Sequence, residues 1–128
     1  MTLTGRTALA DVLNEQTTHV LSATMLDENG TPIPASSAAS CTLTLYETAS
    51  ETIINSRSAT NILNTNGGSW DVNGLWKYTL TAADNAIINT AVAEETHTAL
   101  ITYTYSSNPV MTGRHLIVFR VRNLSKVT

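Results

Sequence analysis

The chain has 128 residues, a formal net charge of −3, 42% hydrophobic residues, 5% aromatics and 13% charged residues. One ordinary domain fits this length, and such a chain buries roughly two-thirds of its unfolded surface, so a core forms without staples. The length leaves no room for two catalytic domains; the charge is about half of what globular domains carry, with Thr, Ser and Asn in its place, which excludes a charged disordered tail and a coiled coil.

In chain order, Thr7 to Glu15 has the pattern of a short helix, with Leu9, Val12 and Leu13 at helical spacing and Asp11 in its first turns. So short a helix does not persist alone and must pack on something. Residues 1–16 are therefore predicted to be an N-terminal arm or short helix for attachment or oligomerisation, and residues 17–128 the folded domain. From Thr17 the period changes to two: His19, Leu21, Ala23 and Met25 share one face. Asp27 to Gly30 ends that strand as a tight turn. Pro32 and Pro34 remove two ladder donors, so residues 31–34 form an edge or a connection.

Cys41 to Tyr46 alternates cleanly, with Cys41, Leu43 and Leu45 inward; Thr52 to Asn55 is its candidate partner. Asn64 to Gly68 is a turn or long loop, Trp70 to Val72 a short strand and Asn73-Gly74 a hairpin turn. Leu75 to Leu80 alternates again. Thr81 to Asp84 has capping-box spacing, predicting one or two helical turns through Ile88. Thr96 to Tyr105 sets Ala99, Ile101, Tyr103 and Tyr105 on one face. After a loop over 106–112, Gly113 to Asn123 sets His115, Ile117, Phe119 and Val121 inward and Arg114, Leu116, Val118, Arg120 and Arg122 outward. About seven short strands punctuated by turns are the pattern of an all-β sandwich. Threonine suits the exposed faces, because it is β-branched and its hydroxyl meets water without charge.

The charge is unevenly placed. Residues 1–95 hold all ten acids and three bases (Arg6, Arg57, Lys77), a formal −7, while residues 96–128 hold Arg114, Arg120, Arg122 and Lys126, a formal +4. Such asymmetry marks either a face for an acidic partner or neutralisation within the fold. Seven cations are too few for a duplex-binding surface, so no nucleic acid is expected. The single cysteine, Cys41, excludes an internal disulfide and reads as a buried, inert thiol. No apolar run approaches about 18 residues, so no membrane span is expected. The first residues lack a signal peptide's apolar run, which predicts synthesis in a reducing cytoplasm.

Motifs for chemistry are sparse. His19, His97 and His115 stand at no short spacing from other ligand types, so no metal or cofactor is predicted. Glu94 and Glu95 point in opposite directions on an extended chain, and Gly67-Gly68 lacks the Lys-Ser/Thr of a phosphate loop. No Gly-x-Ser-x-Gly elbow is present. With little acid/base material, the chain is not expected to be an enzyme. Trp70, with loops 61–74 and 106–112, is the candidate site of the alternative reading, a soluble carbohydrate- or receptor-binding β-sandwich module.

Three segments carry a resemblance. Leu26-Asp-Glu-Asn-Gly-Thr-Pro-Ile33, Gly74-Leu-Trp-Lys-Tyr-Thr-Leu-Thr-Ala-Ala-Asp84, and the pair His97–Tyr105 with Arg114–Leu124 resemble the opening, middle and closing elements of immunoglobulin-like virion proteins of tailed bacteriophages, over roughly residues 17–124. The resemblance implies an immunoglobulin-like antiparallel β-sandwich of about seven strands. It also implies a virion structural protein without catalysis, serving as a tail or neck fibre or appendage, or as a capsid decoration protein. It would be present in many copies, as a homo-oligomer such as a trimer, docked on portal/adaptor, tail or capsid proteins. The candidate assembly contacts are Leu9, Val12 and Leu13 in the arm, and Arg114, Arg120 and Arg122 in the closing strand.

Overall fold

A computed structural model of the chain describes residues 2–106 and 109–126. Ser107 and Asn108, in the predicted 106–112 loop, lie outside the described residues. The strands are β1 (Thr2–Asn14), β2 (His19–Thr24), β3 (Ala38–Glu47), β4 (Thr60–Asn61), β5 (Gly68–Trp70), β6 (Leu75–Leu80), β7 (Glu94–Tyr105) and β8 (Met111–Arg122). They form two sheets, one in the order β1-β8-β7-β3-β4 and one in the order β2-β6-β5. Counting the two paired halves of β1 separately gives nine strand segments. The molecule is all-β, as its composition and alternation predict.

The sheets pack face to face over one core. Cys41, Leu43 and Leu45 from β3, Ala99 and Ile101 from β7, and Ile117 and Phe119 from β8 meet Leu21, Trp76, Tyr78 and Leu80 from the smaller sheet. The period-two alternation drives this arrangement, because each strand of the larger sheet has one apolar face to remove from water. Trp70 stands edge-on to Tyr103 across the interface, with ring centroids 5.6 Å apart, and its indole Nε1 donates to the carbonyl of Ile33 at 2.8 Å.

The N-terminal helix is not formed. Thr7 to Glu15 lies almost wholly in β1, which runs parallel to β8 with a register shift between Ala8 and Val12. Two physical facts favour the strand. Leu9 and Leu13 are four residues apart, a spacing that aligns them on a strand face as well as on a helix. And β8 without β1 would leave its outer backbone groups unpaired. The segment adds a strand to the larger sheet instead: Leu13 is buried in the core and Leu9 packs against it.

The turns follow their residues. Asp27 accepts from the backbone N–H of Asn29 and Thr31 through Oδ1, and Gly30 takes a φ of +78°. Gly74 closes the β5–β6 hairpin at φ +81°, where an added Cβ would also press on Pro32 and Ile33. The Thr81 capping box forms, but it starts a short 3-10 turn, Ala82–Asn85, rather than helix through Ile88. The partner predicted at residues 52–55 is reduced to a bridge between Tyr46 and Ile53.

Candidate functional site

Three places carry the polar and exposed residues of interest. The first is the outer face of the larger sheet. The register aligns Thr42 with Thr102 and Thr44 with Leu100 across β3 and β7. It aligns Leu100 with Leu116, Thr98 with Val118 and Thr102 with Arg114 across β7 and β8, and Arg6 with Leu116 across β1 and β8. The result is a threonine-rich surface with a half-buried strip of Leu100, Leu116 and Val118, bordered by the exposed Arg6, Arg114, Arg120 and Arg122. Arg120 pairs with Glu94 at 3.4 Å, a solvated contact of small energy. Val12 lies beside Arg120 in the register. Thus Arg114, Arg120 and Arg122 share one face with Val12, whereas Leu9 and Leu13 point to the core.

The second place is a buried network around Asp84. Its Oδ1 accepts from Asn55 Nδ2 at 2.8 Å and from Arg57 Nε at 3.0 Å. Its Oδ2 accepts from the Tyr78 hydroxyl at 2.7 Å and from the Thr81 backbone N–H at 2.9 Å. Burial alone would raise this carboxyl, but the hydrogen bonds from Asn55, Tyr78, Thr81 and Arg57 outweigh it and hold it below the usual carboxylate range. Burial and the same carboxylate push the Tyr78 hydroxyl up. Every oxygen lone pair that could act on a substrate is committed to a structural donor.

The third place is the end of the sandwich where β7 begins. Glu95 and His97, two apart on one strand, both face inward, and His97 Nε2 lies 2.9 Å from Glu95 Oε2. Glu95 Oε1 accepts from the backbone N–H of Ile88 at 2.9 Å and of Asn89 at 3.1 Å. Glu47, paired with His97 across the β3–β7 ladder, accepts from Ala49 N–H at 2.9 Å and from the Ser50 hydroxyl at 2.6 Å. The Ser50 bond, ahead of the other contacts, holds Glu47 below its usual range. Burial pulls the His97 imidazole below its ordinary value, against the attraction of Glu95 and Glu47. Glu95 and His97 are taken separately in the sequence reading and are not paired there. The signal was the continuation of the inward alternation Ala99, Ile101 back through His97 to Glu95.

The remaining candidates resolve as core. Trp70 is 4% exposed and hydrogen-bonded, so it presents no ring to a ligand and the aromatic site predicted for it does not form. Cys41 is fully buried, and burial pushes its thiol up to about 12, which makes it inert at neutral pH. Among the described residues, no group of three His, Cys, Asp or Glu side chains is arranged to hold a metal ion. No helix among them is long and apolar enough to cross a membrane.

Fold and polar groups together define an all-β, two-sheet domain whose buried charges serve its own loops. Comparison with protein-family models, with curated proteins and with solved structures returns no match.

Proposed function

We propose that this chain is an immunoglobulin-like structural module of a bacteriophage virion, an exterior tail or neck appendage or a capsid decoration protein, working by assembly rather than catalysis. The strand order supports the fold assignment. When β2 to β8 are taken as strands B, C, C′, D, E, F and G, the sheets B-E-D and G-F-C-C′ follow, with β1 beside G. The chain departs from antibody domains in having a single cysteine and so no inter-sheet disulfide.

One observation carries the assembly reading: the outer face of β3, β7, β8 and β1, which is broad, threonine-rich and apolar at its centre, with cations at its border. Burying the apolar centre of such a face against a neighbour costs little desolvation, because the charged groups stand at its border, where they can stay hydrated. The buried carboxylates favour a non-catalytic role, since their oxygens are held by structural donors. The carbohydrate-binding reading loses its anchor with Trp70 in the core. Mass spectrometry of purified particles tests the proposal: the chain should be present at many copies per particle, and its absence refutes a virion role. Light scattering of the isolated protein is expected to report a homo-oligomer.

A further inference from the structure

His97 combines features that nothing above requires for folding alone. It is fully buried, Phe119 packs edge-on against it at 5.6 Å between ring centroids, and its Nδ1 has no hydrogen-bond partner. A buried ring nitrogen without a partner is an unmet polar group and costs stability. In the neutral ring, Nε2–H donates to the Glu95 carboxylate and Nδ1 is a bare lone pair. Adding a proton puts a donor on Nδ1 where no acceptor waits, and places a cation where water does not reach.

The charged groups around the ring are few. From β3 comes the Glu47 carboxylate, from β7 its own neighbour Glu95, and from β8 the uncharged Phe119. The loop after the 3-10 turn contributes only the backbone N–H groups of Ile88 and Asn89, held by Glu95. Glu94 faces outward to Arg120. The two carboxylates attract the imidazolium, but the ring is fully buried and its Nδ1 has no acceptor, so burial outweighs that attraction and lowers the imidazole. A cleft of about 390 Å³ lies alongside, lined by Glu47, Thr48, Asn89, Glu95 and Thr96, so a small outward movement brings the group to water.

We propose that His97 is an acid-operated latch: its protonation releases Glu95, and with it the Ile88–Asn89 stretch that Glu95 holds, while Asn123 keeps the later part of that loop and the rest of the sandwich stays folded. The stretch it frees lies beside the turn after Glu47 at one end of the domain, the kind of surface through which a module contacts a partner. The sign follows from linkage. A histidine depressed in the folded state contributes stability that is complete above its unfolded value of 6.5 and is lost as pH falls through the folded value.

Amide hydrogen exchange of the intact chain between pH 7.5 and 5.0, corrected for intrinsic rates, tests this. Protection of the Ile88 and Asn89 amides is expected to fall below pH 6.5, with a slope of up to about tenfold per pH unit for one linked proton. The Met25 and Ile33 amides, at the opposite end, should hold their protection. His97→Gln keeps a donor for Glu95 but does not titrate, so its profile should be flat, while His115→Gln should behave as the parent chain. Unchanged Ile88 and Asn89 protection down to pH 5.0, or an equal fall in His97→Gln, overturns the proposal. Should His97→Gln fail to fold, proton NMR of the parent chain decides. Where the ring takes up its proton, the Ile88 and Asn89 amides must shift with the same midpoint, and a ring that titrates while those amides keep their environment refutes the latch.

Discussion

Replacing Asp84 by alanine removes the acceptor for four donors at once: Asn55, Arg57, Tyr78 and the Thr81 N–H. The cost is unequal among them. Arg57 keeps 19% of its side chain exposed and can rehydrate, and Asn55 is exposed. Tyr78 is fully buried and its hydroxyl is stranded. A stranded buried donor costs about 1–3 kcal/mol, and removing one partner of a buried ion pair costs about 3–5 kcal/mol in measured cases. Partial rehydration of Arg57 and Asn55 places Asp84→Ala near the lower end, at about 3–4 kcal/mol. That is a large share of the roughly 5–15 kcal/mol of a typical domain. Urea titration at pH 7 should show the midpoint falling with the slope m unchanged. Tyr78→Phe, which removes one donor and strands nothing, should cost only about 1–2 kcal/mol. Because the Asp84 carboxyl is lowered in the fold, its contribution is present above 3.8 and fades as pH falls through its folded value, so the gap between parent and Asp84→Ala should narrow in acid. A loss below about 1 kcal/mol at pH 7, or a gap that widens in acid, refutes this account of the network.

Leu13→Ala should destabilise by about 2–4 kcal/mol in urea, because Leu13 is 8% exposed and joins the core; a loss under about 0.5 kcal/mol would return residues 1–16 to the status of a detachable arm. Gly68→Ala should cost at least about 2 kcal/mol, since an added Cβ would overlap the carbonyl oxygen and side chain of Ile62, and unchanged thermal stability would contradict that packing. Cys41 should resist a chromogenic disulfide reagent at pH 8 in the folded chain and react promptly in denaturant, in keeping with a thiol raised to about 12. Arg114→Glu should leave stability within about 0.5 kcal/mol, because Arg114 is exposed, yet weaken self-association or particle binding; unchanged association would remove the outer face from the proposed interface.

Much of the fold was legible because its strongest strands repeat with period two. Cys41, Leu43 and Leu45, or Ile117, Phe119 and Val121, admit one inward face and no helical reading. β1 was not legible. Leu9 and Leu13 satisfy both periods, and what decides between them is the unpaired edge of β8, more than a hundred residues away in sequence. The capping box at Thr81 was readable as a local signal. The wider role of Asp84 was not, because Asn55 and Arg57 approach it from a distant loop. Trp70 sits at a strand end, where sequence offers no test of burial; the absence of a side chain at Gly68 and the proximity of Tyr103 become visible only when the sheets are stacked. Glu95 and His97 could have been found, had the inward alternation of β7 been followed past its apolar residues.

The segregated charge of the sequence takes on a specific form in the fold. Neutralisation within the molecule accounts for Arg57 with Asp84 and Arg120 with Glu94. Other acids are consumed by backbone and hydroxyl donors: Glu47 and Glu95 inside one end, Asp27 and Asp71 in turns, Glu28 on the Tyr105 hydroxyl. Arg6, Arg114 and Arg122 are exposed on the outer face of β1 and β8. Most of the described acids thus hold loops, while Arg6, Arg114, Arg120 and Arg122 stand exposed on the outer face of a net negative chain. A partner for that face needs acidic groups at its border and apolar groups opposite Leu100, Leu116 and Val118. The charged border sets orientation and weakens with salt, whereas the apolar centre does not. Association through this face should therefore lose rate as ionic strength rises while retaining a salt-resistant remainder.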